Sequence, residues 1–172
     1  MPLPISHGLT GASIVAALHP DAARQRLPLL AGAFLANCAD FDFALVWLTG
    51  DKSWHRGFTH SLPFAALLTL ALLLLFGLPR ARAALAYGLA YASHALLDFT
   101  FAKHGGGVEL FWPFSDSRTR LNLLGLSEMP SRMSPLEILL SLLLELLIFS
   151  ALFALVRTLR RRTRHSDKDD GR

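Results

Sequence analysis

Between Leu62 and Pro79 the chain reads "LPFAALLTLALLLLFGLP", eighteen consecutive residues without a charge. A helix that crosses a bilayer needs about 20 predominantly apolar residues, and a helix made of this run has no polar face to offer water. Three further segments are nearly as apolar. Ala83–Phe101 carries only His94 and Asp98, Pro135–Val156 carries only Glu137 and Glu145, and Leu27–Gly50 is interrupted by "ADFD". A fifth, Gly8–His19, would reach only about 18 Å as a helix and reads as re-entrant or partly spanning. The expected fold class is all-α, a polytopic membrane helical bundle of about four transmembrane helices plus this short N-terminal helix. The overall balance agrees, with 52% hydrophobic and 17% charged residues against roughly 25% charged in soluble domains.

Residues 1–157 read as one membrane-embedded domain, and 158–172 as a basic, disordered tail. The first 20 residues contain no Lys or Arg to form a basic n-region, so the first segment is expected to remain in the mature protein. The single cysteine, Cys38, excludes an internal disulfide and a cysteine-rich zinc site; it reads as a small buried residue.

Positive charge sets the orientation. Arg24 and Arg26 precede the second segment, Arg80 and Arg82 fill the turn between the third and fourth, and "RTLRRRTRHSDK" follows the fifth. Threading the chain up and down puts all three on one face, expected to be cytoplasmic. The tail is more cheaply explained as a stop-transfer or anionic-lipid anchor than as a nucleic-acid patch, so no nucleic-acid partner is expected.

The same threading brings the ionisable residues of the apolar segments to one level, near the extracytoplasmic surface. Such residues are costly in a membrane and each marks a functional hypothesis. His7 stands at the mouth of the first segment, Asp40 and Asp42 lie towards the outer end of the second, and "HRGFTHS" places His55, Arg56 and His60 before the third. "HALLD" puts His94 and Asp98 four residues apart on one helix face. Imidazole and carboxylate together suit zinc, with manganese or iron also compatible. Asp40 and Asp42 point to nearly opposite sides of a regular helix, so they share a metal only if the helix breaks there; otherwise one ligates and the other serves as outer partner or base. Ser61 can cap the third segment, with Pro63 in its first turn. Trp112 reads as a headgroup anchor, and Glu145 has no evident partner. "HGGG" at His104–Gly107 looks like a lipase oxyanion loop, but the sequence has no G-x-S-x-G elbow to work with it.

"HRGFTHS", the acidic pair ending an apolar segment, "SHALLD", a Gly-rich turn and "WPF" together resemble the YdjM-like family of membrane-bound, metal-dependent hydrolases, over His7 to about Phe114. Where that family often has P-D-x-D-H, this chain has "ADFDF". The family is in turn distantly similar to the all-helical zinc phospholipase C and P1-type nuclease group, which cuts phosphate esters. The resemblance implies His7, Asp42, His60, His94 and Asp98 as ligands of a divalent metal, zinc by that likeness. The soluble enzymes carry a second helical His-x-x-x-Glu or Asp pair; the sequence lacks one, so one or two ions are expected.

The expected function is metal-dependent hydrolysis at the outer surface of the inner membrane, on a phosphoester of a lipid or lipid-linked substrate. Asp40 or His55 would orient or deprotonate water or protonate the leaving group, and Arg56 would pair with one of the aspartates or steady developing negative charge. The alternatives are a non-catalytic metal-binding or metal-transporting protein, and a structural bundle whose polar residues pair with one another.

Overall fold

The computed structural model describes residues 2–19, 22–101, 106–123 and 134–169. His104 and Gly105 of "HGGG" lie outside the described residues. Among the described residues the regular structure is helical, as expected from the apolar segments, and residues 106–123 form a non-helical stretch with an isolated antiparallel bridge between Val108 and Thr119.

Helix α1, Pro4–Leu18, begins earlier than the apolar run suggests. Pro4 can open it because the first turn needs no N–H donor, and His7 is thereby drawn into the helix rather than standing at its mouth. Helix α2, Arg26–Leu35, gives way to a 3-10 turn at Cys38–Asp42 and resumes as α3, Phe43–Thr49, bent by 46°. Two further 3-10 turns, Lys52–Trp54 and Phe58–His60, lead into α4, Leu62–Phe76. Ser61 caps α4 as its sequence suggests, its hydroxyl accepting from the Phe64 N–H at 3.2 Å. Helix α5, Ala81–Phe101, follows directly, and α6, Pro135–Asp169, closes the fold. Helix α6 continues through the basic stretch, where a disordered tail is the expectation from charge.

Length and composition alone do not confirm the expected four spans. Only Pro135–Thr163 of α6, 29 residues, is long and apolar enough to cross a membrane among the described helices, and the number reaches three if each bent pair, α2 with α3 and Lys52–His60 with α4, forms one span. Helix α5 does not meet that measure and turns one face inward against α1, α2 and α4. It is alanine-rich, with Ala83, Ala84, Ala86, Ala90, Ala92 and Ala95 buried, and small residues serve close helix packing better than lipid contact. Helix α6 is the opposite case, with leucines exposed along much of its length and, among its described side chains, only Glu145 and Phe149 buried.

Helix α1 sits at the centre, packed against α2, α5 and α6, while α4 packs on α5. Val15, Ala16, Leu29, Ala86 and Ala90 form the core between them, with Phe153 and Val156 of α6 against it. The α1–α2 crossing depends on two glycines. A Cβ on Gly11 would lie 2.4 Å from the Gly32 carbonyl oxygen, and one on Gly32 would lie 2.5 Å from Val15 Cγ2. Neither obstacle is a flexible side-chain end, so the helices must separate to admit a methyl. Gly11→Ala is therefore expected to destabilise the fold by about 1–3 kcal/mol, the usual cost of overpacking, read as a lower Tm in detergent. An unchanged Tm would refute the tight crossing.

Candidate metal centre

The break after α2 builds the site. Where the helical ladder stops, the Ala36 carbonyl is released from its i+4 donor, and His94 Nδ1 lies 2.6 Å from it. A carbonyl can only accept, so Nδ1 carries the proton and Nε2 keeps its lone pair. The 3-10 turn then sets the two carboxylates on either side of one imidazole: Asp42 Oδ2 is 3.2 Å from His60 Nδ1, and Asp40 Oδ1 is 3.5 Å from His60 Nε2. Asp40 Oδ1 also lies 3.3 Å from His94 Nε2.

From the other helices come His7 and Asp98. The His7 ring stacks on that of His94 with centroids 3.8 Å apart, and its Nε2 is 3.5 Å from Asp98 Oδ1. The four-residue spacing of His94 and Asp98 does put both on one buried face of α5. Asp98 Oδ2 lies 3.2 Å from Arg56 Nε and 3.9 Å from His60 Nε2. His7, His60, His94 and Asp98 are fully buried.

Asp42 is engaged differently from Asp40. Its Oδ1 is 3.0 Å from His55 Nδ1, and its Oδ2 accepts from the Arg56 backbone N–H and the Thr59 hydroxyl, each at 3.0 Å. One carboxylate thus orients two imidazoles through their Nδ1 atoms and ties down the loop between them. Asp42, expected as a ligand, faces outer partners, while Asp40, expected to handle the water, turns an oxygen toward the inner imidazole nitrogens. The reason is the 3-10 turn, whose course residue spacing does not specify.

The loop carrying "HRGFTHS" is held from several directions. The Tyr91 hydroxyl donates to the Thr59 carbonyl at 2.7 Å, Glu109 N–H to the Arg56 carbonyl at 3.1 Å, and Leu62 N–H to the Leu110 carbonyl at 2.9 Å. Arg56 itself takes a left-handed backbone, φ 63°, uncommon for a residue with a side chain. The Asp42 and Glu109 contacts hold it there. Thr59, Tyr91 and Ala36 were not singled out from sequence; only Tyr91, three residues before His94 and so on the same face, carried a readable signal.

Glu145 also finds its place. The carboxylate accepts from the Leu3 backbone N–H at 2.8 Å and from the Ser6 hydroxyl. It thus caps the N-terminus of α1, where the helix dipole favours a negative group, one residue from His7.

What remains is a set of buried atoms turned on one another. His7 Nδ1 and Nε2, Asp40 Oδ1, His60 Nε2, His94 Nε2 and both Asp98 oxygens make no hydrogen bond among the described residues. Several of them face one another as ion pairs at 3.2–3.9 Å without forming hydrogen bonds, and buried polar groups held this way are costly unless a further partner satisfies them. Charge narrows what can satisfy them. With neutral imidazoles, Asp40, Asp42 and Asp98 leave two negative charges in excess over Arg56, which one divalent cation balances. Two groups could each hold an ion: His7, His94 and Asp98, and Asp40, His55 and His60, with ligand atoms within 4.8 Å of one another in each. Nitrogen and oxygen donors without thiolate suit zinc or manganese. Asp40 and His55 are the more open members, with side chains 18% and 19% exposed, so the site is reached from their side.

The model of a family described as YdjM inner membrane protein matches residues 1–163. The inner membrane protein YbcI of Escherichia coli (strain K12) is 35% identical over 125 residues, covering 69% of this chain and 71% of the relative. No solved structure matches significantly.

Proposed function

The chain belongs to the YdjM inner membrane protein family, and from that premise we propose that it is an integral inner-membrane, metal-dependent hydrolase acting on a phosphoester of a lipid or lipid-linked substrate. The observation that carries the reading is the set of imidazole Nε2 atoms of His60 and His94, each aimed inward by an outer partner on Nδ1, an arrangement typical of metal-ligating histidines. His7, Asp40, His60, His94 and Asp98 would hold one or two divalent ions, zinc in the first instance. A bound divalent cation acidifies water to a pKa of about 7 and polarises a phosphoryl oxygen.

The residues divide the remaining work. His55 is oriented through Nδ1 by Asp42 and is among the more open residues of the site, so it is assigned the proton rather than the ion. It takes a proton from the attacking water and returns one to the leaving oxygen as the phosphorus–oxygen bond breaks. The Arg56 guanidinium steadies negative charge gathering on the phosphoryl group. Depth supports a lipid phosphoester. All three tryptophans, Trp47, Trp54 and Trp112, lie on segments bordering the site, as expected at a headgroup interface. Arg24, Arg26, Arg80, Arg82 and Arg157 belong to the opposite end; Arg82 precedes His94 by twelve residues along α5, about 18 Å. The site accordingly faces the extracytoplasmic side and the C-terminal helix end the cytoplasm. Transport draws less support, because Ala12, Val15, Ala16, Ala86 and Ala90 pack the space between the two ends with apolar atoms.

The test is metal analysis of purified protein combined with phosphate release from a panel of phospholipid and polyprenyl phosphate probes. Asp40→Asn is expected to abolish both bound metal and turnover. Asp42→Asn should keep the ion but weaken metal affinity or activity about 10–100-fold, as loss of an outer partner does. Metal-loaded wild-type protein that hydrolyses none of the probes would overturn the enzyme reading, and protein that retains no divalent ion would overturn the metal centre.

A further inference from the structure

A groove of about 490 Å³ runs along the outside of α1, α2 and α6, walled by Ile5, Leu9, Ala12, Leu29, Leu30 and Phe153 and ending at Arg26 and Arg157. Its wall is apolar for the length of α2, and its charge is confined to one end. Arg26 is exposed and makes no ion pair among the described residues. The Arg157 guanidinium is drawn over the Phe153 ring, 5.9 Å from its centroid, which places it at the groove rather than away from it. Close by, a second cavity of about 730 Å³ is lined by His19, Gln25, Arg80 and Arg82 among others, so positive charge extends around this end of the bundle.

We propose that this groove is a binding site for one anionic phospholipid, distinct from the metal centre and independent of the hydrolase reading. An acyl chain lies against Leu9, Leu29 and Leu30, and the phosphate sits between the Arg26 and Arg157 guanidiniums. The occupant follows from complementarity. In a membrane the groove is filled by a lipid tail whatever the headgroup, and two guanidiniums at its end favour a headgroup with net negative charge over a zwitterion, since the choline ammonium of the latter would meet the same cations. Basic pockets between membrane helices are suited to such headgroups.

The experiment is native mass spectrometry of the full chain released from detergent, with phosphatidylglycerol and phosphatidylcholine of identical acyl chains added in turn. Wild-type protein is expected to retain one phosphatidylglycerol at least about tenfold more tightly than phosphatidylcholine, the ratio that a headgroup preference of 1.4 kcal/mol gives. Arg26→Gln with Arg157→Gln should bring the two lipids to equal retention while bound metal stays at its wild-type level. Arg26→Gln alone, at an exposed position where folding is not at stake, should lower the preference at least about threefold, half the effect on a logarithmic scale. Leu30→Trp, which fills the groove from its exposed wall, should lower retention of both lipids. Equal retention by the wild type, or a preference undiminished in the arginine variants, would overturn the proposal and leave ordinary lipid contact. Because metal content is read in the same samples, failure here is separable from failure of the metal centre.

Discussion

Replacing His94 with alanine is expected to cost the protein its divalent cation, with affinity falling by more than the about 10–100-fold that removal of an outer partner causes. Three local facts set the size of the effect. The Nε2 atom lies between Asp40 and the His7–Asp98 group, 3.3 Å from Asp40 Oδ1, so its loss touches both potential ion positions. The ring also supports His7 by stacking. Its Nδ1 is the partner of the Ala36 carbonyl, which would be left with no donor in a buried place. Hydrolysis of any phosphoester probe should fall to background with the metal. Misfolding is controlled by elution profile and by Tm measured at saturating zinc. A folded His94→Ala protein that keeps stoichiometric metal at wild-type affinity would remove the basis for the centre.

The second large effect lies far from the ligands in sequence. Glu145→Leu is expected to destabilise the fold by about 2–6 kcal/mol, because the Leu3 N–H and the Ser6 hydroxyl each lose their buried acceptor at about 1–3 kcal/mol apiece. Glu145→Gln keeps an acceptor oxygen and should recover most of that loss. The effect should spread to the metal, since Ser6 precedes His7 on α1. Measured together, Tm and zinc affinity should fall in Leu and return in Gln. A Leu variant with wild-type Tm and metal content would show that the cap contributes nothing to either.

Much of the site could be read from residue spacing, and the part that could not has a common cause. The His94–Asp98 pair was legible because four residues on a regular helix define a face. The "HRGFTHS" cluster was legible because titratable groups at the mouth of an uncharged run are costly without a partner. The different placement of Asp40 and Asp42 was not, because it turns on where one helix stops and a tighter turn begins. The partner of Glu145 was not, because the contact joins the two ends of the chain with no local signal. The number of spans was not legible for a related reason: α5 is apolar, but its buried alanines pack against other helices. Apolar periodicity separates buried from exposed positions, and it does not separate burial in protein from burial in a bilayer.

The contact between Glu145 and the start of α1 has a temporal consequence. The two partners are 142 residues apart, and at about 5–20 residues per second the ribosome makes the acceptor on the order of ten seconds after the donors. Until then the first helix has imidazole but no clamp. A nascent chain therefore holds the start of α1 without its buried acceptor until α6 has been made.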